Sequence, residues 1–152
     1  MKIVPLGERP DLLAQVAAWT FAEWGHLSRG QTLAKLTARI ATRMNVDRAP
    51  VTFVALDDDG RALGTAALMY EDLKGDPRDP WLASVYVPPQ GRGKGVGSAL
   101  VVAVEDAARR FGFTRLYLFT VSSQRLYARL GWRALERRDY RGEHIQVMDR
   151  TL

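Results

Sequence analysis

Gln90-Gly91-Arg92-Gly93-Lys94-Gly95-Val96-Gly97-Ser98-Ala99-Leu100 follows an apolar run, Trp81 to Val87, and opens a pattern in which Val96, Leu100, Val104 and Ala107 share one side. The order is strand, glycine-rich turn, helix, with the helix expected over 94–111. The first turn of a helix carries free N–H groups and the positive end of its dipole, and together these bind phosphate. Glycine lets the chain turn tightly and bring those amides close to an anion. Arg92 and Lys94 add charge. A Rossmann turn would follow the first strand and precede an acid by about 20 residues, whereas here three other segments with strand patterns come first. A Walker loop needs Gly-Lys-Ser/Thr, and Lys94 is followed by Gly95 and Val96. Four alternate glycines at a strand-to-helix junction favour a diphosphate site over a merely tight loop.

Outward from this turn the pattern changes several times. Met1 to Leu6 reads as an edge strand. Pro10 opens a helix carrying Leu12, Leu13, Val16 and Trp19 and stopping near Gly25. A second helix starts at Gln31 or Thr32, with Leu33, Leu36, Ile40 and Met44 on one stripe. Val51 to Leu56 and Ala62 to Tyr70 form a hairpin around Asp-Asp-Asp-Gly. Glu71 to Pro80 is polar and reads as a surface loop. Arg115 to Phe119 is a strand, Gln124 to Leu130 a short helix closed by Gly131, and Trp132 to Tyr140 and His144 to Met148 are strands joined at Arg141-Gly142. This is a mixed α/β (α+β) pattern around one central sheet, expected to be one domain over 1–152.

The 152 residues are 47% hydrophobic and 26% charged, which fits one soluble domain with its own core. There is no run long enough to span a membrane and no apolar leader. Cysteine is absent, so disulfides and thiolate chemistry are excluded, in keeping with a cytoplasmic protein. The net charge of +5 raises nucleic acid as a partner. The ten basic residues from Arg92 to Arg138 are scattered over several elements without a basic, aromatic-interleaved stripe, which argues against it. The two histidines, His26 and His144, form no ligand motif, so no metal site is expected.

A second run, Ser122-Ser123-Gln124-Arg125-Leu126-Tyr127-Ala128-Arg129-Leu130-Gly131-Trp132, places Leu126 and Leu130 on one packed face with Tyr127 next to it, a packed aromatic with its hydroxyl at the rim. With the glycine turn, it resembles the GNAT superfamily of N-acetyltransferases, bacterial proteins of unassigned acceptor in particular. Their coenzyme A signature (Gln or Arg, two residues, Gly, one residue, Gly or Ala) is matched by Gln90, Gly93 and Gly95, with Gly97 as a frequent extra. The resemblance is strong from Trp81 to Trp132, moderate from Val51 to Tyr70 and weak in the N-terminal helices.

The resemblance implies a GNAT-type acyl-CoA N-acyltransferase fold, a mostly antiparallel sheet of six to seven strands flanked by about four helices. It implies acetyl-CoA as cosubstrate, held by Val85, Tyr86 and Val87 on the strand, by Arg92, Gly93, Lys94, Gly95, Val96, Gly97 and Ser98 at the turn, and by Ser123, where the family often has asparagine. Tyr127 takes the role of general acid to the departing thiolate. An N–H of Val85 or Tyr86 polarises the thioester carbonyl. Glu71, Asp72, Asp79 and His26 are candidate bases for the incoming amine, Glu71 and Asp72 nearest the expected cleft mouth, with Trp24, His26, Glu71 and Ser84 at the acceptor. Four acids in the 71–79 loop, Glu71, Asp72, Asp76 and Asp79, are expected to attract a cationic acceptor. A small amine or a peptide amine fits; polyamine, aminoglycoside and basic peptide stay open. A homodimer through 132–148 is compatible with the pattern. The different-class alternative is a non-catalytic acyl-CoA sensor, which Tyr127 argues against.

Overall fold

Every residue of Val51–Leu56 is buried, which requires both faces of its sheet to be covered. Alternation along this strand feeds two cores. Phe53 and Ala55 pack with Leu100, Val101 and Val104 on one side. Val54 and Leu56 pack with Val16, Ala17, Leu36 and Ile40 on the other. The computed structural model describes residues 1–152 and arranges them as β1 (Lys2–Pro5), α1 (Leu13–Trp24), α2 (Leu33–Ala41), β2 (Val51–Leu56), β3 (Ala62–Met69), β4 (Trp81–Tyr86), α3 (Val96–Arg110), β5 (Arg115–Thr120), α4 (Gln124–Arg129), β6 (Arg133–Tyr140) and β7 (Glu143–Thr151). The seven strands form one sheet in the order β1-β2-β3-β4-β5-β7-β6. All neighbours are antiparallel except β4 and β5. This is the mixed α/β architecture of the GNAT fold, with four helices about a mostly antiparallel sheet. No helix is long and apolar enough to cross a membrane.

The expected elements are all present, with shifts at their ends. The second helix stops at Ala41, and Met44, expected on its stripe, instead makes an isolated bridge to Val51. The glycine turn runs longer than expected, because helical geometry starts at Val96 rather than Lys94. The last strand extends to Thr151, where it keeps pairing with Arg115 on β5.

The 71–80 segment is not a plain surface loop. Leu73 is fully buried and packs with Trp81, Ile145 and Val147. That anchor pulls the start of the segment inward and leaves Asp72 half-buried. In α4 the ring expected to pack is packed more deeply than the two leucines beside it. Tyr127 belongs to the main core, with 7% of its surface exposed, while Leu126 and Leu130 are half-buried.

Candidate active site

The parallel pair β4 and β5 is joined only at its start. Trp81 is in register with Tyr117, and Tyr117 N–H donates to Pro80 O at 3.1 Å. Beyond that point the strands diverge. Two features of β4 carry it away. The first is a bulge: Thr65 pairs with Tyr86 and Ala67 with Ala83, so Ser84 and Val85 together face Ala66. Ser84 takes φ +54° there, a left-handed conformation that non-glycine residues adopt only where surrounding structure imposes it. The second is Pro88-Pro89, which ends the strand and starts a tight turn at Pro89–Gly91. The gap is a cleft of about 960 Å³, with Leu82 to Val87 on one wall and Leu118 to Ser123 on the other.

The glycine turn closes one end of the cleft. Gly93 and Gly95 have φ +78° and +81°, and a Cβ on either would meet no atom within 4 Å. Their role is therefore backbone conformation facing open space, not close packing. The first bond into α3 runs from Ala99 N–H to Gly95 O at 3.0 Å. The N–H groups of Val96, Gly97 and Ser98 are left without intrahelical partners, and no side chain caps them. Gly91, Arg92, Gly93, Gly95, Val96, Gly97 and Ser98 all line the cleft, and Lys94 does not. The Arg92 side chain turns back: its Nε donates to Val87 O at 2.9 Å, and its guanidinium lies 6.0 Å from the Tyr86 ring centroid.

The cleft fits an extended, amide-bearing chain ending in a diphosphate. The inner edge of β4 past Trp81 is a strand edge without a neighbour, ready to accept main-chain-like hydrogen bonds. The amides of α3 lie at the end where an anion would sit. Ser123 lines the same wall, its N–H bonded to Thr120 Oγ1 at 3.0 Å.

Tyr127 lines the cleft beside this edge. Burial alone pushes its hydroxyl up to about 12, with no hydrogen bond offsetting it. The phenol therefore keeps its proton at neutral pH. Its ring packs edge-on against Trp132, with centroids 6.1 Å apart.

The other end of the cleft is built by four separate segments: α1 and the turn after it (Thr20, Glu23, Trp24, His26, Ser28), Asp72, Ser84 on β4, and the β6–β7 hairpin (Tyr140, Arg141, Glu143). Trp24 stands edge-on to Tyr86 at 6.3 Å. The hairpin tip reaches both flanking segments. Arg141 Nη1 donates to Ser28 Oγ at 3.0 Å, and Lys74 N–H donates to Tyr140 Oη at 3.4 Å. The Arg141-Gly142 turn has positive φ at both residues, as a two-residue hairpin loop requires.

Of the four loop acids, only Asp72 lines the cleft. Burial raises its carboxyl to about 7 against the opposing pull of the Arg43 and Arg141 cations. Glu71 is exposed with φ +56°, its N–H donated to Asp79 Oδ1 at 2.8 Å, and it does not line the cleft. Asp76 is held down to about 2, chiefly by hydrogen bonds from Arg78, with Arg138 nearby. The expected four-acid field is thus a correction: Asp76 is neutralised by arginines and Asp79 is engaged by the backbone of its own loop. The carboxylates facing the cleft are Asp72, Glu23 and Glu143, and Arg129 and Arg141 face it as well. Glu23, Glu143 and Arg141 carry no motif. Only the turn dipeptide Arg141-Gly142 hinted that this hairpin is tight enough to present a side chain.

Comparison with known proteins gives the family and the fold. A sequence model of the acetyltransferase (GNAT) family matches residues 13–132, and the chain belongs to that family. Among solved structures, an aminoglycoside 6'-N-acetyltransferase complexed with coenzyme A superposes with TM-score 0.74 at 16% identity, covering 99% of this chain and 97% of that one. A ribosomal-protein-alanine N-acetyltransferase from Brucella melitensis gives 0.73 at 19% identity over the whole of both chains. The aminoglycoside 6'-N-acetyltransferase from Enterococcus faecium gives 0.73 at 17%, covering 99% of this chain and 97% of that one. At these identities the likeness is one of fold. No curated protein matches the chain.

Proposed function

We propose that this protein transfers the acetyl group of acetyl-CoA to a primary amine of a small molecule or peptide by direct attack. The observation that carries the reading is the cleft between β4 and β5, with an amide cradle at one end and both Tyr127 and Asp72 on its walls. Coenzyme binding is supported by that fit and by the coenzyme A complex of a protein with the same fold.

Val85, Tyr86 and Val87 offer the strand edge, and the amides of 93–98 hold the diphosphate. Acetyl-CoA supplies an acetyl group activated as a thioester. An N–H of Val85 or Tyr86, beside the bulge at Ser84, would hold the carbonyl oxygen as negative charge develops on it. Trp24, His26 and Ser84 border the acceptor end. An amine reaches this cleft mostly protonated at neutral pH. Asp72, titrating near 7, is matched to taking one of its protons. Tyr127 holds a proton for the sulfur as the C–S bond breaks and the C–N bond forms. The burial that makes this phenol a weaker acid also disfavours a bare thiolate beside it, so the two stay matched.

The test is release of free thiol from acetyl-CoA with a panel of primary amines, run on the native chain and on Tyr127→Phe. Turnover on at least one amine, lowered by about 10²-fold or more in the variant, is the expected result. Saturable coenzyme binding with no turnover on any amine points instead to a sensor. A Tyr127→Phe protein with the native rate removes the assignment of the acid.

A further inference from the structure

Glu105 lies on α3, about two and a half turns beyond the amide cradle. It is a carboxylate inside the apolar core with 4% of its surface exposed. Its Oε1 accepts a hydrogen bond from Trp132 Nε1 at 2.9 Å. Arg150 Nε stands 3.6 Å from the same oxygen and has no hydrogen-bond partner, while Arg150 Nη1 donates to Gly131 O at 3.1 Å. Trp132 in turn holds Tyr127 in two ways: their rings pack edge-on, and Trp132 N–H donates to Tyr127 O at 3.0 Å. The Tyr127 hydroxyl has no bond of its own to steady it, so the ring's place in the cleft depends on what packs against it. A buried carboxylate is costly and is retained only where its hydrogen bonds are made. Here the bond it makes is to the indole that supports Tyr127.

We propose that Glu105 is a positioning residue for Tyr127: through the Trp132 indole it fixes the phenol ring in the cleft and ties that ring to the helix whose first turn forms the coenzyme cradle. The proposal rests on the reading of Tyr127 as the general acid. One helix thereby sets both the diphosphate and the proton donor.

The experiment compares Glu105→Leu, Glu105→Gln and Trp132→Phe, each alone and with Tyr127→Phe, by thiol release at saturating acetyl-CoA well below every variant's melting temperature. Water serves as acceptor if no amine turns over. Glu105→Leu and Trp132→Phe are expected to lower kcat about tenfold or more with the KM for acetyl-CoA within about twofold. Glu105→Gln, whose amide oxygen still accepts from the indole, is expected to stay within about threefold of native kcat. In the Tyr127→Phe background, Glu105→Leu should add no further loss, since the two changes act through one ring.

A purely structural Glu105 gives the opposite pattern. Glu105→Leu then melts earlier but turns over natively, or its loss multiplies with that of Tyr127→Phe. Either result overturns the positioning role while leaving the acid in place. A native rate in Tyr127→Phe alone overturns the reading of the acid and, with it, this proposal.

Discussion

Asp72→Asn removes a carboxylate that the fold holds near a pKa of about 7 by burial, with Arg43 and Arg141 pulling it the other way. The consequence for stability has a definite sign. The folded value lies above the ordinary carboxylate value, so the folded protein binds more protons than the unfolded chain between them, and stability falls as pH rises through that window. At pH 8 the native carboxylate is charged in a half-buried site, at a cost on the order of 4 kcal/mol relative to an unshifted group. Asparagine has the same shape and no charge. Its advantage over aspartate should therefore grow by roughly 2.5 kcal/mol between pH 5 and pH 8. The assay is urea denaturation of both proteins at several pH values in that range, which cancels every other titrating group. Activity should move the opposite way. In the native protein kcat/KM should fall about tenfold per pH unit below 7 as Asp72 takes up its proton, and Asp72→Asn should lose on the order of 10²–10⁴-fold and that limb with it. A constant stability difference across the range would refute the raised pKa. A retained acid limb in Asp72→Asn would show that another group accepts the proton.

Two glycines test the backbone of the site. Gly95→Ala meets no neighbouring atom but must hold φ +81°, so it should destabilise by about 1–2 kcal/mol and lower the melting temperature by a few degrees. It should also raise the KM for acetyl-CoA, and an unchanged melting curve would show that the turn relaxes freely. Gly64→Ala places a Cβ 2.8 Å from Tyr86 O and 3.1 Å from Leu100 Cδ1, which forces β3 away from the bulged strand. A loss of about 1–3 kcal/mol by chemical denaturation is expected, and no loss would mean that the bulge shifts at little cost.

The turn at 90–100 and the order of the elements were legible in the residues, because glycine conformation and side-chain periodicity are local properties that neighbours in the chain determine. The proposed cofactor half of the site was legible for the same reason: it consists of consecutive amides at a strand-to-helix junction. What faced them was not. The four acids of 71–79 look alike in sequence, yet only Asp72 reaches the cleft, because Leu73 buries beside Trp81, Ile145 and Val147 while Asp76 meets Arg78 and Arg138. Tyr127 was legible as a candidate through its setting in the motif, but the depth of its burial and its link to Glu105 through Trp132 were not. Periodicity placed Leu126 and Leu130 inward instead, and Glu105 is 27 residues from Trp132. The divergence of β4 from β5 likewise needs a bulge measured against β3 and a register shared at one residue. Local chemistry determined that the chain makes a glycine-rich turn with free amides at the start of a helix. Which distant charges and rings complete the site was decided by tertiary packing, since an ion pair, a buried carboxyl or a strand gap depends on partners that adjacency in sequence does not specify.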